Sequence, residues 1–305
     1  MKHLFIVNPT AGGSDKTEDV RAKVRAAFAG RANEETEIYV TRGPLDATRK
    51  IEEEAAKGEH LRVYACGGDG TFNECVCGAA LKPNVAVCPF PTGTGNDFCR
   101  MFGDEKELFR DLNALLDGEE HAIDLLECNG RYSANICSVG VDARIGTDVH
   151  KYSSIPLVGG ATGYVVSAAV NMFKGIATEM EISCDGQQFS GKHTLVCACN
   201  GCYYGGGFNP SLDARPDDGI MDVYIAKKVN LVQFAALIGK YAKGHADDMP
   251  KLITHLRSSG ELTIRCRKED VAQLDGEALR AEEFRIRMVP RALNLIVPKG
   301  LRFFE

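Results

Sequence analysis

Three apolar runs in the first hundred residues each break off into a glycine-bearing turn, and that repetition limits the folds open to the chain. Lys2 to Val7 runs into Asn8-Pro9-Thr10-Ala11-Gly12-Gly13. Leu61 to Cys66 runs into Gly67-Gly68-Asp69-Gly70-Thr71, and Val85 to Cys88 leads to Thr92-Gly93-Thr94-Gly95-Asn96. Runs this short and this apolar suit strands buried on both faces of a parallel sheet. Helical stretches alternate with them, to about Ala29, over Pro44 to Ala56 and behind each later glycine turn. Strand and helix in alternation predict a doubly wound α/β sheet up to about Leu116. In such a sheet the turns gather at the carboxyl ends of the strands, where backbone amides and helix N-termini favour phosphate. Asp69 and Asp97 make little sense beside bare phosphate and good sense beside a divalent cation arriving with it, as in a nucleoside triphosphate. Asp97 reads equally well as a cap on the helix starting near Phe98. Lys16, in the first turn of its helix, is either a counter-charge to an anion held there or a solvated surface lysine.

The familiar nucleotide signatures are absent. No Gly-x-x-x-x-Gly-Lys-Ser/Thr occurs, and no Gly-x-Gly-x-x-Gly follows the first strand. A formal net charge of −6 over 305 residues argues against a nucleic-acid partner. The length allows two domains with a core each. Met1-Lys2-His3-Leu4 enters a strand directly, without a signal peptide, and many of the twelve cysteines sit inside apolar runs. Free thiols in a reducing cytoplasm are the expectation. Tyr152 to Phe173 is long enough to span a bilayer, but its prolines, glycines and polar residues favour a loop followed by a buried helix from Ala161. Cys197, Cys199 and Cys202 with His193 have spacing that could hold zinc, although strand alternation favours buried thiols.

From about Ile123 the rhythm changes to short alternating runs separated by glycines, which predicts a mostly antiparallel β-sandwich with a helix over Leu231 to Ala242. The expected division is an α/β domain over 1–122 and a β-rich domain over 123–291, with 292–305 packing back on the first.

Asn8-Pro9 with Gly12-Gly13, Gly67-Gly68-Asp69-Gly70-Thr71 with Asn73-Glu74, and Pro91-Thr92-Gly93-Thr94-Gly95-Asn96-Asp97-Phe98 resemble the diacylglycerol kinase catalytic-domain family. The nearest likeness is to its soluble bacterial lipid kinases, themselves similar to sphingosine and ceramide kinases. The likeness continues through Asn135 to Ala143, Gly205-Gly206-Gly207, Asp213-Ala214 with Asp217-Asp218-Gly219, and Asp275-Gly276-Glu277. The Gly-Gly-Asp-Gly-Thr element is shared with NAD kinases and phosphofructokinases, so the resemblance implies a first domain of that fold. It further implies phosphoryl transfer from ATP to the hydroxyl of a membrane lipid, most simply diacylglycerol; the alternatives are a kinase of another alcohol (a sphingoid or other lipid, or NAD) and a lipid-binding module that has lost catalysis. ATP would lie across the three loops, contacted by Asn8, Gly12, Lys16, Thr41, Gly67, Gly68, Gly70, Thr71, Glu74, Thr92, Gly93, Thr94 and Asn96. Asp69 would serve Mg²⁺, with Asp97 a second candidate. Glu277 would be the general base, and Asp275 would orient it or serve the metal. The resemblance implies a structural Mg²⁺ at Asp218 and Asp217, against which stands Arg215 as an alternative neutralising charge. The active site is expected between the domains. Arg265, Arg267 and Lys268, or Arg302 with Phe303-Phe304, could touch anionic headgroups at the inner face of a membrane, and edge strands of the second domain could pair in a homodimer.

Overall fold

The computed structural model describes residues 1–11, 15–31, 34–92, 96–145 and 176–305. Contacts divide the chain into two compact units, one of Met1–Leu125 with Pro290–Glu305, the other of Leu126–Val289.

The first unit is built on a parallel sheet. β1 (Lys2–Val7) pairs with β2 (Glu35–Val40) on one side and β3 (Leu61–Gly67) on the other, and β3 pairs with β4 (Val85–Pro91). A fifth strand comes from the far end of the sequence, where Asn294 and Leu295 run parallel beside Ala86 and Val87. β1, β3 and β4 are buried along their whole length, which is why they read as unbroken apolar runs. The edge strand β2 is partly exposed and carries glutamates instead. Helices α1 (Thr17–Phe28), α2 (Asp46–Ala55) and α3 (Asp69–Ala79) connect the strands. Beyond β4 a single helix gives way to fragments: α4 (Asp97–Arg100), a 3-10 stretch over Gly103–Arg110 and α5 (Leu112–Leu116). The C-terminal Phe303 and Phe304 pack on Phe102 and His121, and Arg302 pairs with Glu105, so this tail is committed to the first unit's own core and surface.

A charge cluster closes the amino-terminal edge of that sheet. Lys2 lies 2.9 Å from Glu54 and 2.6 Å from Glu37, and Lys50 reaches the same two carboxylates at 2.7 and 2.6 Å. Glu54 is 6% exposed. Its burial opposes ionisation, but hydrogen bonds from Lys50, Lys57 and Lys2 outweigh that and hold the carboxyl down at about 2.

The second unit is antiparallel. It contains β6 (Arg131–Ser133), β7 (Ile136–Gly140), β8 (Thr178–Cys184), β9 (Gln187–Cys199), β10 (Met221–Lys227), β11 (Ile253–Ser258) and β12 (Glu261–Leu274). Two further strands pass through the unit boundary, β5 (Glu119–Cys128) and β13 (Glu277–Val297). The neighbours run β11-β10-β9, then β7 or β8, then β12-β13. β7 and β8 share one lane: β9 pairs with β8 over Gln187 to His193 and with β7 over Leu195 to Cys199. β12 meets the same two strands in turn, its register shifting between Arg265 and Asp270. Val139, Ile182, Val196, Val223, Ile264 and Phe284 are among the apolar side chains that fill the core. The helix α6 (Leu231–Tyr241) begins with a capping box between Asn230 and Gln233.

Two sequence readings change. Arg131 to Cys137 reads as one strand but is two, because the amides of Ala134, Asn135 and Ile136 turn to a carboxylate instead of a strand. Gly260 to Cys266, Phe284 to Val289 and Ala292 to Val297 read as separate short strands but belong to two long ones, the second with Arg291 at φ 53° and its amide on Asp124 Oδ1. Among the described residues no helix is long and apolar enough to cross a membrane, and the helix expected from Ala161 lies outside them.

Glu54→Gln should lower stability by about 2 kcal/mol at neutral pH. The contribution belongs to a depressed carboxylate, so it is complete above the unfolded value of 4.5 and is lost as pH falls toward about 2. Urea unfolding of both forms across that window should show the two curves converging.

Candidate functional site

The carboxyl ends of β1 to β4 supply the first group of candidate residues. After β1, the Asn8 amide NH₂ donates to Thr71 Oγ1 at 3.2 Å, while its Oδ1 accepts from the Thr10 amide and hydroxyl at 3.0 and 2.8 Å. The Asn8 backbone N–H donates to Cys66 O, and that of Thr41, just past β2, donates to Val7 O. β3 ends on Gly67, where a Cβ would lie 2.3 Å from Thr71 Oγ1 and 2.6 Å from Thr71 Cβ. Only glycine lets the first turn of α3 fold back this closely on its own strand. α3 starts at Asp69 behind Gly68, with no side chain capping it, so its leading amides are presented at this end of the sheet.

Asp69 joins the second loop to the third. Its Oδ1 accepts the backbone N–H of Asp97 at 2.7 Å, and the Thr92 amide reaches Gly67 O at 3.4 Å. Asp97 is the first residue of α4, buried, with Arg100 Nε 2.9 Å from its carboxylate, and Asn96 holds the cap position without a side-chain bond. Glu74 is taken up by the start of α2. Its two oxygens accept the amides of Leu45 and Ala47 at 3.0 and 3.2 Å, which fixes the start of α2 where Leu45 has φ 63°. Lys16 is half-exposed ahead of α1, with Asp19 3.7 Å away. Asn8, Thr41, Gly67, Gly68, Asp69, Gly70, Thr71, Thr92 and Asn96 thus lie at one edge of one sheet. Gly12, Gly93 and Thr94 lie outside the described residues.

In the second unit, Asp275 and Gly276 form the two-residue turn of the β12–β13 hairpin. Their φ values of 48° and 97° are those of the mirror-image turn that suits strand twist. The Asp275 carboxylate accepts from Ser133 Oγ at 2.7 Å and from the amides of Ile136, Ala134 and Asn135 at 2.9, 2.8 and 3.3 Å. Burial pushes this carboxyl up from the ordinary range, against those four donors, which pull it down. Asp275 therefore pins the β6–β7 corner to the hairpin. Glu277 opens β13 opposite Leu274, half-buried.

The acidic loop before β10 is neutralised by cations. Asp217 pairs with Arg215 at 3.1 Å, Asp218 with Arg257 at 3.1 Å, and buried Asp222 with His255 at 2.8 Å. The Asp222 hydrogen bond raises the His255 pKa against the opposing effect of burial. Nothing local in the sequence marks Arg257 and His255 as partners. The antiparallel register does, since Asp222 lies directly opposite Arg257 on β11. Among the described residues no group of three or more His, Cys, Asp or Glu is arranged to hold a metal ion. Cys197 and Cys199 lie with sulfurs 3.6 Å apart in the core, and His193 hydrogen-bonds Gly191 O.

Residues 2–128 match the family described as the diacylglycerol kinase catalytic domain, and residues 135–297 match the YegS C-terminal NAD kinase beta sandwich-like domain. The chain belongs to the diacylglycerol kinase family. It is 30% identical to a diacylglycerol kinase of Bacillus subtilis over 90% of this chain and 88% of that protein. It is 28% identical to a Pectobacterium atrosepticum protein named "Probable lipid kinase YegS-like", over 99% and 98% of the two. A solved diacylglycerol kinase structure from Bacillus anthracis shares the fold, with a TM-score of 0.69 at 23% identity over 99% of this chain and 98% of that one.

Gly67→Ala should cost about 1–3 kcal/mol, because Thr71 and the start of α3 must move to admit the methyl group; a fall in thermal midpoint with a raised KM for ATP would show it. Asp275→Ala strands three amides and should cost about 2–4 kcal/mol, read by chemical denaturation.

Proposed function

We propose that this lipid kinase transfers the γ-phosphoryl group of ATP to the free hydroxyl of diacylglycerol, giving phosphatidic acid and ADP. The observation that carries the reading is the Asp69 carboxylate bonded to the Asp97 amide, which sets the second and third turns side by side at one sheet edge. Phosphoryl transfer asks mainly for positioning and charge neutralisation. Gly67, Gly68 and Gly70 leave the backbone open to the triphosphate, and the amides at the head of α3 face its charge. Asn8, Thr41, Thr71, Thr92 and Asn96 supply polar contacts, and Lys16 a half-exposed cation. Gly12, Gly93 and Thr94 complete the turns.

Hard carboxylate oxygens suit Mg²⁺, and the lack of a preformed three-ligand cluster among the described residues suits an ion that arrives with the nucleotide and keeps much of its water. Asp69 is the residue we assign to it, with Asp97 behind. The ion neutralises charge on the phosphates when bound. We assign Asp217 and Asp218 to a second, structural cation position only if Arg215 and Arg257 swing away from them.

Glu277 is our general base. It accepts the hydroxyl proton as the new O–P bond forms and the bond to the ADP leaving oxygen breaks. Asp275 holds the hairpin that presents it. Arg267 and Lys268, exposed at the irregular stretch of β12, suit contact with anionic headgroups at the inner membrane surface, whereas Arg302 and the terminal phenylalanines are engaged within the first unit.

Incubation with labelled ATP and diacylglycerol, sphingosine or NAD should label diacylglycerol in preference; labelling of NAD alone would overturn the reading. Glu277→Gln should lower kcat by about 10²–10⁴-fold with the KM for ATP nearly unchanged. Undiminished turnover would remove Glu277 from the mechanism.

A further inference from the structure

The acidic residues around β10 decide whether the second unit needs a metal ion of its own. A hard cation such as Mg²⁺ binds carboxylates through their lone pairs and asks for about six oxygens in regular geometry. Here the carboxylates already have donors of their own. Arg215 Nε and Nη2 donate to the two oxygens of Asp217 at 3.1 and 3.4 Å, a paired arrangement that uses both. Asp218 Oδ1 accepts the Ile220 amide at 3.0 Å, and its Oδ2 accepts from Arg257 at 3.1 Å. Asp222, 3% exposed, has His255 Nε2 at 2.8 Å and Arg257 Nε at 3.4 Å. Arg257 thus bridges Asp218 and Asp222, from the place directly opposite Asp222 in the β10–β11 register.

His255 makes a second bridge, its Nδ1 lying 3.0 Å from Asp247. A carboxylate at each ring nitrogen calls for two N–H donors, hence an imidazolium. Tyr224, stacked on that ring with centroids 4.3 Å apart, holds its orientation. Three cationic side chains therefore stand among four carboxylates. An arginine cannot shed its proton to become a ligand, and a dication entering this loop would meet guanidinium groups at contact distance. The donor set does not fit a divalent ion, and a second cation position would have to be opened against all of these contacts. We infer that Arg215, Arg257 and His255 take the place of a structural metal ion in this chain, so the second unit keeps its acidic loop in place without one. The inference goes beyond the assignment of donor and acceptor and is independent of the ion that accompanies the nucleotide.

The test is the thermal midpoint of the full chain stripped with EDTA, without ATP or lipid, before and after Mg²⁺ is added. A structural ion held at about a hundred times its Kd would raise the midpoint by roughly 5–10 °C, whereas wild type should move by less than about 1 °C. A larger rise that persists in Asp69→Ala overturns the inference. A rise that Asp69→Ala abolishes places the ion at the first unit's sheet edge and supports it. Arg257→Met takes one cation from Asp218 and Asp222 and should lower the midpoint in EDTA by roughly 3–6 °C. Mg²⁺ should then recover about half of that loss or more, because the freed lone pairs can take it. Arg257→Lys keeps the charge and should stay indifferent to Mg²⁺. An unchanged midpoint in Arg257→Met, or a fall that Mg²⁺ does not reverse, overturns the replacement.

Discussion

A carboxylate at the head of one helix holding the amide at the head of the next is the contact on which the first unit's working edge depends. Parallel strands separately deliver glycine turns to one end of a sheet, but turns have little intrinsic rigidity. The Asp69–Asp97 bond couples two of them, and the Asn8–Thr71 bond couples a third to the same helix start. Backbone donors held this way are fixed in orientation by the fold itself. The tight approach of Thr71 to Gly67 adds a steric lock beneath the same turn.

The second unit solves an analogous problem with one side chain. A hairpin turn is ordinarily exposed and independent of its surroundings. Here the turn's own aspartate reaches across to collect a hydroxyl and three amides from the β6–β7 corner. The hairpin bearing Glu277 is thereby fixed to the sheet. The acidic residues at the start of β10 show the same economy, Asp217, Asp218 and Asp222 each lying against a basic side chain of the same loop or of β11.

How much of this could be seen in the sequence varies with the range of the interaction. The parallel sheet was legible because β1, β3 and β4 are buried on both faces and therefore unbroken apolar runs. The sandwich was legible through its period of two. Glu74 shows the limit: beside a glycine turn it reads as a nucleotide contact, yet both its oxygens hold the first amides of α2. The split of β6 from β7 was invisible because its cause, Asp275, lies some 140 residues downstream. Arg257 and His255 were missed for a related reason, since only strand register brings them opposite the acidic loop.

The strand that β13 lends to the parallel sheet sets an order on how this molecule can be made. On emergence from a ribosome, the α/β unit waits for Pro290–Glu305, which carries the last strand of its sheet, until Leu126–Val289 has been made. The β-rich unit, contiguous from Leu126 to Val289, has all its residues before the earlier one does. The usual sequence of vectorial folding, N-terminal part first, is therefore reversed here. The edge of β4 that β13 covers stays a bare template for stray strands until that strand has been made.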